Sequence, residues 1–299
     1  LIDQSSFSKF EMFGPGALNL LQKICVSNMD QPVGRIIYTQ MCNDAGGIEA
    51  DLTITRLGAD HYYIVTGSAF GTHDADWIRR QMPEDGSVHL IDMTSGRAVI
   101  NLCGPKARKV LEQVAEQDVS NVAFPFGWMR NLTLGAAPVR AQRIGFVGEL
   151  GWELHIPTEF ALHVYDRLRE AGAEFGIRDV GYRAIESLRL EKGYLYWSSD
   201  ITPDYTPIEA GLGARVHLKT KGNFRGRAVL EAQNAQGPGR ILCTFVSAEK
   251  LPLFGGETIL LGGRVVSLAC SAGYGYTICR NIVYGYLTPD EARHDAFDL

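Results

Sequence analysis

Two carboxylates have a setting in the sequence that suits them to chemistry: Asp51 and Glu153. Each follows a glycine-rich turn and precedes a Leu-x-Ile pattern, as Asp51-Leu52-Thr53-Ile54 and Glu153-Leu154-His155-Ile156. A carboxylate placed where a tight turn feeds a strand can be half-buried and aimed into a cleft. There it could accept hydrogen bonds from N–H groups or stabilise developing positive charge. The alternative is that each acid only caps its own turn, as turn aspartates often do.

The stretch that positions Asp51 combines a turn with a strand. Asn43, Asp44, Gly46 and Gly47 are typical turn residues. The alternation that follows puts Leu52 and Ile54 on one face, and Asp51, Thr53 and Thr55 on the other. The sequence therefore predicts that Asp51 lies at the start of a strand, on its polar face.

A strand–Gly-Pro–helix pattern occurs twice, 90 residues apart. The first copy has a strand at Phe7–Phe13, Gly14-Pro15 and a helix at Ala17–Cys25. The second has a strand at Val99–Cys103, Gly104-Pro105 and a helix with Ala107, Val110, Leu111 and Val114 apolar. This indicates an internal duplication, unless two copies match by chance. If it is real, Asp51 and Glu153 occupy quasi-equivalent strand positions and face a shared central cleft.

The remaining elements indicate an α+β protein. Further helices are predicted at His73–Arg80, Thr158–Glu170 and Arg183–Lys192. A further strand is predicted at Tyr62–Thr66. From Thr206 onward, short glycine-rich strands predict an all-β region, with strands at Ile241–Val246, Thr258–Leu261, Val265–Ala269 and Ile282–Leu287. A domain boundary is expected near Asn234–Gly239.

Composition excludes several classes of protein. The 299 residues carry a net charge of -5, which argues against nucleic acid or an anionic membrane as the main partner. No apolar run approaches a membrane span. The six cysteines are scattered without a C-x-x-C pair, so we expect no metal site and a reducing compartment. The sequence also lacks a phosphate-binding loop, a G-x-G-x-x-G motif and a G-x-S-x-G elbow.

Aromatic residues concentrate beside the turn-and-acid motifs. Aromatic rings stack well on flat heterocycles, although each such residue is more often part of a core. The residues concerned are Tyr38, Phe146, Trp152, Tyr182, Tyr194, Tyr196 and Trp197. This pattern favours a planar, polar ligand.

These motifs resemble the tetrahydrofolate-dependent aminomethyltransferases, which include the glycine-cleavage T protein and the folate-binding parts of sarcosine and dimethylglycine dehydrogenases. The resemblance runs from Asp3 to about Leu287. It rests on these motifs: Asp3-x-x-Ser6-Phe7-x-Lys9, Tyr38-Thr39-x-Met41, Gly46-Gly47-Ile48-x-x-Asp51-Leu52, Gly145-Phe146-Val147-Gly148-Glu149-x-Gly151-x-Glu153, Leu188-Arg189-Leu190-Glu191-Lys192-Gly193, Asp200-Ile201 and Thr206-Pro207-x-Glu209.

The resemblance implies a fold and a set of site residues. It implies duplicated α+β halves around a central folate cavity in residues 1–235, and a small C-terminal β-barrel, truncated here, in residues 236–299. Asp51 matches the family's essential aspartate and is the implied catalytic residue. The implied cofactor-binding residues are Tyr38, Phe146, Trp152, Glu153, Arg189 and Tyr194. The cofactor is tetrahydrofolate, with FAD only on an absent partner domain.

The segments Asn121–Phe126, Phe146–Pro157 and Gly181–Glu186 resemble the sarcosine-dehydrogenase branch, in which a FAD-binding oxidase domain precedes this part. The start at Leu1 without Met then predicts a fragment or a separate subunit, located in the cytoplasm or a mitochondrial matrix. T proteins have Tyr at Phe146, Asn at Gly67 and Arg-Asp at Ile185-Glu186, which weakens a transfer of aminomethyl-lipoyl chemistry. A regulatory or folate-sensing relative, and an O- or S-demethylase, are the alternatives.

Overall fold

Three β-sheets and six α-helices make up the fold, which the computed structural model describes over residues 1–299. The strands are β1 Ile2–Asp3, β2 Ser8–Phe13, β3 Ile36–Cys42, β4 Ile48–Gly58, β5 His61–Thr66, β6 His89–Asp92, β7 Arg97–Cys103, β8 Met129–Leu134, β9 Ala137–Gln142, β10 Gly151–Pro157, β11 Ile241–Ser247, β12 Thr258–Leu261, β13 Arg264–Gly275 and β14 Arg280–Leu287. The helices are α1 Ala17–Ile24, α2 Gly71–Arg79, α3 Ala107–Val114, α4 Ala161–Gly172, α5 Tyr182–Lys192 and α6 Arg227–Gln236.

The predicted duplication is confirmed by the topology of two five-stranded sheets. One has the strand order β3-β4-β5-β2-β6, and the other has the order β8-β9-β10-β7-β1. In both, a helix follows the Gly-Pro turn, a hairpin comes next, and a 3₁₀ turn and helix follow the fourth strand. The edge strands are exchanged, because β6 precedes β7 in the chain but pairs with β2, and β1 precedes β2 but pairs with β7.

The register of these sheets corrects the predicted equivalence of Asp51 and Glu153. Glu153 lies opposite Asn101 on β7, and Tyr63 lies opposite Glu11 on β2, so Tyr63 is the structural counterpart of Glu153. Asp51 lies on β4, whose counterpart is β9 and not β10. The prediction was wrong because a shared acid-Leu-x-Ile motif was matched without the hydrogen-bonding partners that decide which strands correspond.

Most predicted elements are present, and two details differ. Helix α3 contains the four predicted apolar positions, whereas α6 lies within the region predicted to be all-β. Only Leu230 of α6 is buried, so its sequence carries no apolar stripe to reveal a helix. Strand β4 begins at Ile48, so Asp51 lies inside the strand and not at its start.

The chain forms two compact units. Unit 1 comprises residues 1–21, 29–38 and 52–184, and unit 2 comprises residues 22–28, 39–51 and 185–299. In unit 1, one face of the β7–β10 sheet packs on α3 and α4 through a core that includes Leu102, Trp152, Leu154, Leu111 and Leu168. That face is apolar, so the polar side chains of the same strands are on the opposite face.

Unit 2 contains three smaller cores and the C-terminal sheet. The strands of the C-terminal sheet have the order β11-β14-β13-β12 and pair antiparallel. Ile48 packs with Leu190, Leu195 and Ile201 beneath β14, so the turn before β4 is anchored in this unit. No helix of the structure has the length and apolar character needed to span a bilayer.

Candidate functional site

Glu153 lies at the centre of a polar row across three strands of unit 1. Asn101 on β7 and Gln142 on β9 are its two directly opposite neighbours. Residues opposite each other in antiparallel strands share a face of the sheet, with their Cβ atoms about 4.5–5.5 Å apart. Oδ1 of Asn101 and both amide atoms of Gln142 are buried without a hydrogen-bond partner. The row therefore offers a carboxylate flanked by two amides with unused bonding capacity.

Trp152 is on the other face of β10. It is fully buried in the unit 1 core, where its ring contacts Phe124 and lies below the guanidinium groups of Arg108 and Arg143. Successive side chains of a strand point to opposite faces, so Trp152 and Glu153 cannot line the same surface. The predicted cofactor-binding role of Trp152 is therefore corrected to a core role.

Side chains of the β2–β5 sheet contact the polar face of the sheet that carries Glu153. The hydroxyl of Tyr63 lies 2.9 Å from Nδ1 of His155, two residues beyond Glu153. Arg140, on β9 opposite His155, stacks over the Tyr63 ring with its guanidinium carbon 4.5 Å from the ring centroid. Arg140 also forms an ion pair with Glu11 at 3.1 Å. Polar contacts thus join the two duplicated sheets within unit 1.

The buried setting shifts several pKa values in this layer. Burial raises the pKa of the Tyr63 hydroxyl above its usual range, so the hydroxyl keeps its proton. Burial lowers the pKa of His155 more than the nearby Glu153 carboxylate raises it, and the positive charges of Arg140 and Lys9 also lower it. Burial also opposes ionisation of Glu11, but the Arg140 guanidinium outweighs it and lowers the pKa of that carboxyl. At neutral pH the layer therefore contains a neutral histidine between fixed charges.

Asp51 accepts a hydrogen bond from Gln40, and a different residue caps the preceding turn. The amide nitrogen of Gln40 on β3 donates to Oδ1 of Asp51 at 2.7 Å. The turn is capped instead by Asn43, whose Oδ1 accepts from the backbone N–H groups of Ala45 and Gly47. Asp51 itself is half-buried, and capping by Asn43 accounts for this turn.

Arg189, predicted to bind the cofactor, is committed to ion pairs inside unit 2. Its guanidinium group contacts Asp200 at 2.6 Å and Glu186 at 2.8 Å, and it donates to the hydroxyl of Ser271 at 2.8 Å. Burial raises the pKa of Asp200, although its partner Arg189 acts to lower it. The arrangement favours a structural role for Arg189 at the wall of a 270 Å³ cavity, whose lining residues are Glu186, Arg189, Tyr196, Ser199, Phe254, Ser271 and Ala272.

The other predicted aromatic residues are half-buried. Tyr38 is on β3 and Phe146 is in the segment before β10, both in unit 1. Tyr194 follows α5 in unit 2, and its backbone carbonyl accepts a hydrogen bond from Arg189 at 3.2 Å. Roles for these residues in ligand binding stay predictions.

Several polar residues of the site escaped the sequence reasoning, namely Gln40, Tyr63, Asn101, Gln142 and His155. His155 could have been found, because alternation from Glu153 places it on the same face. Tyr63 could have been found by applying the 90-residue offset to Glu153. Asn101 and Gln142 are recognisable only once the strand register is known.

Comparison with known proteins gives the family. Residues 1–220 match the family model of the GCVT N-terminal domain, and residues 240–298 match that of the glycine cleavage T-protein C-terminal barrel domain. The mitochondrial sarcosine dehydrogenase of Homo sapiens is 39% identical over 96% of this chain, and the mitochondrial pyruvate dehydrogenase phosphatase regulatory subunit of Mus musculus is 34% identical over 96%. This chain spans 33% and 34% of the length of those two relatives.

An aminomethyltransferase of Halothermothrix orenii matches over most of both chains. It is 33% identical over 98% of this chain and 81% of its own length. The crystal structure of the glycine cleavage system aminomethyltransferase T from Bartonella henselae shares the fold, with a TM-score of 0.84 at 24% identity over 96% of this chain and 77% of that one. The fold with its C-terminal barrel domain is therefore as predicted, and this chain belongs to the glycine cleavage T-protein family of aminomethyltransferase-like, folate-binding proteins.

Proposed function

We propose that this chain binds tetrahydrofolate and converts it to 5,10-methylenetetrahydrofolate. The one-carbon unit would come from oxidation of an N-methyl amine such as sarcosine or dimethylglycine. That oxidation would occur on a FAD-binding domain or subunit, in the cytoplasm or a mitochondrial matrix. The sarcosine dehydrogenase relative, of which this chain matches about a third, supports the choice of amine.

The observation that carries the proposal is the row Asn101–Glu153–Gln142. A pterin ring presents adjacent N–H donors and a carbonyl along one edge. An ionised carboxylate can accept two N–H donors, while an amide can donate to a carbonyl and accept from a further N–H. Buried amide groups without hydrogen-bond partners are costly, and a ligand of this pattern would satisfy them.

Asp51 would stabilise the positive charge that develops during the reaction. Attack of a folate nitrogen on an iminium or formaldehyde carbon places added positive charge on nitrogen. A fixed anion stabilises that charge more than it stabilises the neutral ground state, so its effect appears in turnover. The Gln40 amide nitrogen donates to one oxygen of Asp51 and so fixes the position of the carboxylate.

A regulatory, non-catalytic protein is the second candidate. The pyruvate dehydrogenase phosphatase regulatory subunit relative, at 34% identity, supports it. The retained pair of acids, Asp51 and Glu153, supports the enzyme instead. Binding of tetrahydrofolate without turnover would favour the regulatory alternative.

Calorimetric titration with tetrahydrofolate tests the proposal. The Glu153→Ala variant should bind more weakly by about 1.5–3 kcal/mol, the cost of losing a hydrogen bond to a charged group. Glu112→Ala, on the exposed face of α3, is the matched control and should bind like the wild type. Unchanged affinity in Glu153→Ala would make Glu153 structural. The same samples, given formaldehyde, report whether methylenetetrahydrofolate forms faster than without protein.

A further inference from the structure

We propose that Tyr63 and His155 form a positioning pair that holds Glu153 for its ligand. In this pair the Tyr63 hydroxyl donates to Nδ1 of His155, and the ring hydrogen is on Nε2, turned toward Glu153. The inference rests on the proposed function for the identity of the ligand, but the state of the pair can be tested without one.

The geometry of the pair is fixed by two strands of different sheets. Tyr63 on β5 and His155 on β10 are both fully buried. Their rings meet edge to face, 5.2 Å apart at 85°, with 2.9 Å between the hydroxyl and Nδ1. His155 is two residues beyond Glu153, so both side chains are on the polar face of β10. Nε2 of His155 then lies 3.9 Å from Oε2 of Glu153.

The surroundings determine which ring nitrogen carries the hydrogen. A second ring proton is disfavoured, because burial opposes a charged imidazole more strongly than the Glu153 carboxylate favours it, and the nearby cations Arg140 and Lys9 also oppose it. A neutral ring has one N–H and one lone pair. A lone pair on Nε2 would face the carboxylate of Glu153 and repel it. The hydrogen therefore belongs on Nε2, and Nδ1 accepts from Tyr63.

The Nε2 hydrogen of His155 is not taken up by a hydrogen bond within the chain. Nε2 is buried without a hydrogen-bond partner, and a separation of 3.9 Å is too long for a full hydrogen bond to Glu153. The side chain of Glu153 is 15% exposed, so a ligand can reach its carboxylate. A ligand that binds Glu153 therefore contacts a carboxylate that has the Nε2–H donor of His155 oriented toward it. Loss of that donor should weaken binding without unfolding the site.

The state of the pair can be measured by NMR on protein labelled with ¹⁵N at histidine. The neutral Nε2–H tautomer gives ¹⁵N shifts distinct from those of the Nδ1–H tautomer and of imidazolium. At pH 7 we expect His155 of the wild type to be the Nε2–H tautomer, assigned by its absence in His155→Gln. In Tyr63→Phe the signals should move toward a mixture of tautomers. An Nδ1–H or charged His155 in the wild type would overturn the proposal.

Tyr62→Phe is the matched control for Tyr63→Phe. Tyr62 is the neighbour on β5, fully buried, and its hydroxyl has no hydrogen-bond partner. It lies on the opposite face of the strand. Tyr62→Phe should leave the His155 signals unchanged. If both variants altered them equally, the change would reflect packing and the proposal would fail.

Binding measurements with tetrahydrofolate connect the pair to Glu153. His155→Leu should weaken the affinity by roughly three- to thirty-fold, as expected for one lost donor to a charged group. His155→Gln places an amide donor near the position of Nε2 and should retain most of the affinity. Equal loss in the two variants, or no loss in either, would overturn the positioning role. Absence of binding by the wild type would instead overturn the proposed function, and the NMR result would still decide the pair.

Discussion

The carboxylate of Asp51 is the single side chain on which the proposed chemistry depends most. Gln40 binds one of its oxygens, and Asn43 performs the capping that would otherwise explain an acid near this turn. Because its charge would act on the transition state, its removal should affect rate more than affinity. Glu153, whose proposed partner is the ground-state pterin, should behave in the opposite way.

Asp51→Asn tests this difference, because it keeps the shape and removes the charge. We expect the rate of methylenetetrahydrofolate formation to fall by roughly 10²–10³, the range for loss of one electrostatic stabiliser. Affinity for tetrahydrofolate should change far less. The measurement is a single-turnover rate with folate saturating.

Asp44→Asn is the control for Asp51→Asn. Asp44 belongs to the same turn region, but its side chain is 79% exposed and paired with Arg225. Its variant should react at the wild-type rate. A rate within a few-fold of wild type for Asp51→Asn would contradict the catalytic role of Asp51.

Among the elements, strand β2 carries a buried cation, Lys9, which forms hydrogen bonds with the segment that precedes the strand. Nζ of Lys9 donates to the backbone carbonyls of Ser5 and Phe7, at 2.7 and 2.9 Å, and no side-chain atom of Lys9 reaches solvent. Burial lowers the pKa of Lys9 to about 8, against 10.5 for an ordinary lysine. The segment between β1 and β2 is therefore held by a lysine whose charge is costly.

The low pKa of Lys9 has a consequence for stability. Between about pH 8 and 10.5 the unfolded chain binds this proton more tightly than the folded one, so stability contributed by Lys9 rises with pH. Relative to Lys9→Met, the free energy of unfolding of the wild type should rise by up to about 1.4 kcal/mol per pH unit in this window. Chemical denaturation at several pH values measures the gain. A constant difference between the two proteins would be inconsistent with it, and Lys109→Met, on the exposed side of α3, is the surface control.

The turn before β4 is the second element whose packing can be tested. A Cβ added at Gly47 would overlap the carbonyl oxygen of Pro203, and the backbone N–H of Ile48 bonds to the carbonyl of Tyr205 at 3.0 Å. Gly47→Ala should therefore destabilise the protein by about 1–3 kcal/mol or more. Gly222→Ala, which meets nothing within 4 Å, should have little effect. Equal stability of the two variants would show that the loop at Pro203 moves aside freely.

Local sequence signals predicted the elements better than they predicted the site. The apolar spacing of Ala107, Val110, Leu111 and Val114 predicted a helix, and all four residues are buried in α3. The predicted equivalence of Asp51 and Glu153 was wrong, because the two strands that share this motif have different neighbours in their sheets. The contact between Tyr63 and His155 depends on two registers and on the packing of two sheets, none of which is local.

At the scale of the whole molecule, the predicted site residues are distributed over both compact units. Glu153, Tyr38 and Phe146 are in unit 1, whereas Asp51, Arg189 and Tyr194 are in unit 2. The sarcosine dehydrogenase and pyruvate dehydrogenase phosphatase regulatory subunit relatives are about three times as long as this chain. The residues proposed to bind folate all belong to this chain, so we propose to test folate binding on it directly.

Hydrogen exchange with and without tetrahydrofolate tests whether one ligand serves both acids. A ligand at 100 times its dissociation constant stabilises the folded state by about 2.7 kcal/mol, and amides nearest the ligand gain the most protection. If Asp51 and Glu153 act on the same molecule, the amides of β4 around Asp51 and those of β10 around Glu153 should both be protected beyond the average. The Glu153→Ala variant, at a folate concentration that saturates only the wild type, should lose both effects together. Protection confined to β10 would assign folate to Glu153 alone and would remove Asp51 from the proposed reaction.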